Sequence, residues 1–259
     1  MKQAIIGGTG FYGIPNLKLT PKHTRTRFGT VELLCGEDEW SELVFLPRHG
    51  PKHEFPPHRI NYRANMLALK QLGVERALAI FTVGSLHEDV PPHSLVALDQ
   101  FIDFTHGRES TYFDGGESGL VHTMVTDPFC PALREHILEK APEFSLQILP
   151  AGTYVCVEGP RFETAAEIRM FAQLGGHVVG MTGIPEIPLA RELGIHYAAV
   201  AISVNWGAGL KDSLEIDTEG IQQIRSWLLS LFMELYRSPR PLQCSCENGA
   251  YIIHPPSDG

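Results

Sequence analysis

A chain of 259 residues, 43% of them hydrophobic, is long enough to bury a full core as one domain. Its formal net charge of −9, with no run of Lys or Arg, argues against nucleic acid and against an anionic membrane as partners. The apolar start at Ala4-Ile5-Ile6 is too short for a secretion signal or a membrane span, so a cytoplasmic protein is expected.

In chain order, hydrophobic periodicity predicts a helix over residues 62–72, stopped by Gly73, and then buried strands over 77–83 and 95–102. A helix over 131–140 and a strand over 153–157 follow. The next helix, 165–174, begins with Thr164 and Glu167 at capping-box spacing and ends before Gly175-Gly176. After a strand over 178–181, a helix over 185–193 carries proline in its first turn, where the missing N–H costs little, and Gly194 at its end. A strand over 198–204 and a long helix over 221–236 complete the pattern. Such alternation predicts an α/β fold, a sheet covered by helices. Residues 1–236 read as one domain, and the proline-rich residues 237–259 as an irregular C-terminal extension, in which Tyr251-Ile252-Ile253 has the character to dock on the body. Cys35, Cys130 and Cys156 stand apart and read as buried reduced thiols. Cys244-Ser245-Cys246 reads as two exposed thiols of that extension, or alternatively as a redox pair.

Several strand ends carry groups suited to a ligand. Gly8-Thr9-Gly10-Phe11-Tyr12-Gly13 fits the dinucleotide fingerprint, but Pro15 and Pro21 interrupt the crossover helix that fingerprint needs. A small anion nest of backbone N–H groups and the Thr9 hydroxyl is the alternative, beside a plain strand turn. Arg48, after the apolar residues 43–46, needs an anionic partner to be desolvated: a phosphate held by its planar fork, or an internal carboxylate. His49, His53 and His58 are separated by Gly50, Pro51, Pro56 and Pro57, which stops a helix from aligning them on a metal, and no metal is expected. Thr82 and Thr182 end two further strands. With Thr9 and Arg48 they would form a phosphate cradle of hydroxyls around one cation, at the strand ends where α/β proteins bind ligands.

Eight ordered segments, among them Ile6-Gly7-Gly8-Thr9-Gly10, Arg48-His49-Gly50, Val83-Gly84-Ser85-Leu86, Gly159-Pro160-Arg161-Phe162-Glu163-Thr164 and Met181-Thr182-Gly183-Ile184-Pro185-Glu186, resemble the trimeric purine nucleoside phosphorylase and 5′-methylthioadenosine phosphorylase family. The likeness covers roughly residues 3–235. It implies a central mixed sheet, partly barrel-like, covered by helices, and a homotrimer. It also implies phosphate bound by Thr9, Arg48, His49, Thr82 and Thr182, nucleoside contacts from Phe162, Met181 and Gly207, and His122 reaching into a neighbouring subunit's site. No organic cofactor or metal is implied, phosphate being a co-substrate.

Two positions depart from the methylthioadenosine pattern, which has Ser where Glu163 stands and Asp-x-Asp where Asn205-Trp206-Gly207 stands. Glu and Asn there match phosphorylases of 6-oxopurine nucleosides. His53 fits the methylthio branch, and residues 206–222 lack the His that ordinary nucleoside phosphorylases carry; Thr218 stands near its place and would help to set sugar specificity. Together these imply phosphorolysis of S-methyl-5′-thioinosine to hypoxanthine and 5-methylthioribose 1-phosphate, with Asn205 as the catalytic group at purine N7 and Glu163 reading the base. Cleavage of 5′-methylthioadenosine, or of inosine and guanosine in general, is the alternative.

Overall fold

A computed structural model describes residues 1–115, 119–211 and 218–253 of the chain, without the side chains of residues 218, 219 and 253. In chain order the elements are β1 (Lys2–Gly7), β2 (Leu19–Thr26), β3 (Gly29–Gly36), β4 (Leu43–Pro47), α1 (Tyr62–Gln71), β5 (Val74–Ser85), β6 (Leu95–Ala97), β7 (Gln100–Phe104), β8 (Leu120–Thr123) and α2 (Pro131–Lys140). They continue with β9 (Ile148–Leu149), β10 (Thr153–Val157), α3 (Ala165–Gln173), β11 (Val178–Gly180), α4 (Glu186–Glu192), β12 (His196–Trp206), α5 (Thr218–Arg237) and β13 (Ala250–Ile253).

Eleven strands form one mixed sheet that runs β2-β3-β4-β1-β5-β11-β10-β7, with β12, β6 and β9 branching from β5. The branch positions the functional cavity. β12 pairs with β5 from Arg76 to Ser85 along one edge. On the other edge β1 pairs only as far as Ala79, and β11 takes over at Gly84. Between those points residues 80–83 of β5 have no neighbouring strand on that edge, and the sheet opens.

Alternating side chains of the buried strands feed separate cores, as the two-residue period of a strand requires. Tyr197, Ala199 and Ala201 of β12 pack with α1 and α4, whereas Ala198, Val200, Ile202 and Val204 pack with α2 and α5. Ile168 and Phe171 of α3 close a smaller cluster over Leu86, Val155 and Val179. Among the described residues no helix is long and apolar enough to cross a membrane.

The structure differs from the sequence reading in three places. The run 95–102 is two strands, because Leu95–Ala97 pairs with β12 and Gln100–Phe104 pairs with β10, with Asp99 capping the Gly152 N–H at 2.9 Å between them. Residues 19–36, which carry no clear period, form a hairpin; Pro21 is tolerated there because β2 is the sheet's edge. Finally, the two tail thiols are not exposed. Cys246 is buried and Cys244 half-buried against the α2/α5 core, and β13 pairs antiparallel with β8, with Tyr251 opposite His122.

Candidate active site

The opening beside β5 is a cavity of about 280 Å³ lined by Gly8, Thr9, Arg48, His49, Thr82, Gly84, Phe162, Glu163, Met181, Thr182 and Asn205, among others. Each comes from the end of a strand or the loop that follows it. Thr9 follows β1, Arg48 and His49 follow β4, Met181 and Thr182 follow β11, and Asn205 lies near the end of β12. The pairing of β12 with β5 shifts register between Ser203 and Asn205, an irregularity of the kind that re-aims side chains beside binding sites.

Arg48 is the electrostatic centre of this cavity and is itself 1% exposed. Its Nε and Nη2 donate to the two oxygens of Glu186 at 2.7 and 2.9 Å, and Nη1 donates to the Ile80 carbonyl at 3.1 Å. That carbonyl belongs to the stretch of β5 that neither β1 nor β11 covers. The guanidinium also stacks 4.6 Å from the Phe81 ring centroid, and Tyr197 Oη donates to Glu186 Oε1 at 2.5 Å. Burial opposes the charge, but Glu186 outweighs it and holds the Arg48 pKa above its ordinary value. The expected use of the side-on fork for phosphate is therefore corrected: that fork holds Glu186. Of the five N–H donors of a guanidinium, three serve the protein, and two on the terminal nitrogens remain for a ligand. Gly8 permits this approach, since a Cβ there would lie 2.9 Å from Nη1.

His49 Nδ1 lies 2.9 Å from the Phe55 carbonyl. Burial, aided by the Arg48 charge, lowers its imidazole to about 4 against the upward pull of that carbonyl. The ring is thus neutral near pH 7. Because a carbonyl can only accept, Nδ1 carries the proton and Nε2 is left as an acceptor. Thr182 gives its backbone N–H to Tyr154 Oη at 3.1 Å, and Thr82 Oγ1 donates to the Thr9 carbonyl at 3.3 Å.

The Thr164–Glu167 capping box forms as expected and fixes the start of α3 directly behind Glu163. Burial raises the Glu163 carboxyl above its ordinary value. Met181 reaches the cavity over Gly159, where a Cβ would stand 2.6 Å from its sulfur. Phe162 is 77% exposed at the mouth, so its own chain leaves the ring uncovered. Asn205 Nδ2 donates to the Trp206 carbonyl at 2.7 Å.

Four expected residues stand elsewhere. Gly207 is buried and does not line the cavity; its N–H is bonded to the Ser85 carbonyl at 2.8 Å, and a Cβ there would collide with that carbonyl and Ile168. His53 is exposed beside the cavity, its ring 4.4 Å from that of His49. His122 is exposed on β8. Thr218 begins α5, and its side chain lies outside the described residues. Sequence reasoning missed Glu186, Tyr197 and Tyr154, which touch the cavity residues from behind. Glu186 opens a helix and gave no sign beyond a favourable charge near a helix N-terminus.

The family model described as the phosphorylase superfamily matches residues 2–229. The chain is 45% identical to a probable 6-oxopurine nucleoside phosphorylase of Dictyoglomus turgidum, over 96% of each chain. It is 42% identical to an S-methyl-5′-thioadenosine phosphorylase of Pyrococcus horikoshii, over 95% of this chain and 96% of that one. Among solved structures, methylthioadenosine phosphorylase from Schistosoma mansoni in complex with tubercidin superposes with a TM-score of 0.83 at 35% identity, covering 92% of both chains.

Proposed function

The chain belongs to the phosphorylase superfamily, and from that premise we propose that it cleaves 6-oxopurine nucleosides with phosphate, S-methyl-5′-thioinosine foremost. The observation that carries this reading is the meeting of Arg48, the three Thr residues, Glu163 and Asn205 in one cavity. Phosphate attacks C1′ as the bond to purine N9 breaks, passing through an oxocarbenium-like state. The products are the free base and a sugar 1-phosphate. The two spare donors of Arg48 and the hydroxyls of Thr9, Thr82 and Thr182 hold the anion. The neutral His49 accepts at Nε2 from a protonated phosphate oxygen or a sugar hydroxyl. Electron density leaving the sugar accumulates on the purine, where Asn205 turns its Nδ2 from Trp206 to N7.

Base choice follows from hydrogen-bond polarity. Hypoxanthine and guanine carry a proton on N1, which the Glu163 carboxylate accepts; adenine presents a lone pair there. A site built on such a bond rejects the analogue lacking it by about 10⁴–10⁵. Methylthioinosine, inosine and methylthioadenosine, each assayed for base release with and without phosphate, test the reading. A strict phosphate requirement and the highest kcat/KM on methylthioinosine are expected. Base release in phosphate-free buffer, or equal cleavage of methylthioadenosine, overturns it.

A further inference from the structure

The cysteine cluster behind the sheet lies outside everything this reaction uses. Cys130, His196, Cys244 and Cys246 bring one ligand atom each to within 4.8 Å of all the others. Cys130 Sγ stands 3.5 Å from Cys244 Sγ and 3.7 Å from His196 Nδ1, and Cys244 Sγ stands 3.2 Å from the same Nδ1. A tetrahedral zinc with bonds of 2.3 Å to sulfur and 2.0–2.1 Å to nitrogen has S···S edges of about 3.8 Å and S···N edges of about 3.6 Å. Cys130, His196 and Cys244 already stand close to those spacings, and Cys246 brings its sulfur within 4.8 Å of each of them. They come from three separate parts of the chain: Cys130 at the start of α2, His196 at the start of β12, and the Cys-Ser-Cys of the tail. Convergence of three soft sulfurs and one imidazole from such distant positions needs a reason beyond packing.

The surroundings suit the same ligand. The Leu133 N–H points at Cys130 Sγ at 3.4 Å, a donor that favours thiolate. The far nitrogen of the imidazole, His196 Nε2, faces Glu247 Oε1 at 3.8 Å, the side on which metal-bound histidines place an orienting carboxylate. Cys130 and Cys246 are buried and His196 and Cys244 half-buried, so the site is largely screened from water.

We infer that these four residues form a structural site for a thiophilic divalent cation, zinc by its tetrahedral sulfur and nitrogen donors. Binding replaces three S–H bonds by three sulfur–metal bonds and sends three protons to solvent. His196 binds through the Nδ1 lone pair with its own proton on Nε2. No electron is transferred. The position excludes a part in phosphorolysis, since His196 and Asn205 lie nine residues apart on one strand, about 30 Å at ~3.3 Å per residue. What the cation does is tie down the tail. Ala250 follows Cys246 closely, and β13 holds β8 and thereby His122.

Metal analysis of the full chain, purified with reductant and dialysed without added metal, should find about one zinc per chain. Replacement by cobalt should give the visible bands of a tetrahedral thiolate complex. Cys244→Ser and Cys246→Ser should each lose the metal and the bands, expose the tail to limited proteolysis, and keep kcat at saturating phosphate within about twofold, while Cys35→Ser should change none of these. A wild-type protein with all thiols reduced that takes up neither zinc nor cobalt overturns the proposal. So does a stable disulfide among these cysteines that re-forms in preference to metal binding, or undiminished metal in the two tail variants.

Discussion

Arg48 shows how one residue serves the fold and the site together. Its removal leaves Glu186 buried without a cation, which costs about 3–5 kcal/mol. Arg48→Ala should therefore lower Tm as well as cut turnover on the order of a hundredfold and raise the phosphate KM. Arg48→Lys, a point charge that cannot hold both Glu186 oxygens and Ile80, should recover little of either. Calorimetry beside Michaelis kinetics separates the two losses; an Arg48→Ala protein with unchanged Tm would show that the Glu186 pair is dispensable. His49 makes a second, pH-dependent contribution. Its native pKa of about 4 lies below the ordinary 6.5, so the unfolded chain takes up a proton that the native one refuses. The contribution is fully present above pH 6.5 and is lost as pH falls towards 4, by up to about 3 kcal/mol. Denaturant titrations across that range should show His49→Gln losing less stability than wild type as pH falls; parallel curves would refute it. Arg48 was legible in the sequence because a cation at the end of an apolar strand has few reasons to be there, whereas His49 entered only through the family resemblance. The partners of Arg48 were not legible, because Glu186 and Tyr197 acquire their roles only when α4 and β12 come together beside its guanidinium.

At the scale of elements, legibility followed burial. Strands with both faces covered, such as β5, β10 and β12, read as unbroken apolar runs, and their observed bounds extend the expected ones by a few residues at most. β2, β3 and β8 were not read as strands, because β2 is the sheet's edge and all three are only partly buried, so no apolar run marks them, while β13 contains the Tyr251-Ile252-Ile253 segment expected to dock on the body. Local capping chemistry, in contrast, was readable to the residue. In the box at the start of α3 the Glu167 N–H donates to Thr164 Oγ1 at 3.2 Å, and the Thr164 N–H donates to Glu167 Oε2 at 2.7 Å. Arg161 also grips that carboxylate, at 2.9 and 2.6 Å, so the whole loop carrying Phe162 and Glu163 hangs on it. Thr164→Ala should cost about 1 kcal/mol in stability. Because phosphate donors lie on other loops, it should raise the nucleoside KM severalfold and leave the phosphate KM unchanged. Equal rises in both would mean that the loop does not act as a unit.

For the whole molecule, the expected trimer is the arrangement that would finish the cavity. Phe162 lacks cover at the mouth, and His122 projects from a β8–β13 ribbon at the surface. Light scattering should give three chains per particle, and His122→Ala should lower the nucleoside kcat/KM by about tenfold without dissociating it. An active monomer would remove the shared site. The forked sheet carries a further consequence for how the protein comes apart. β5 is held by β1, β11 and β12 at once, and its residues line both the cavity and the principal cores. Freeing it to loosen the cavity would dismantle those cores as well, so the floor of the cavity and the body of the domain belong to one cooperative unit. A ligand seated against β5 consequently acts on global unfolding: at a hundred times its Kd it stabilises the whole domain by about 2.7 kcal/mol. Amides in the centre of β1 and β12, which touch no ligand, would then exchange more slowly whenever the cavity is filled.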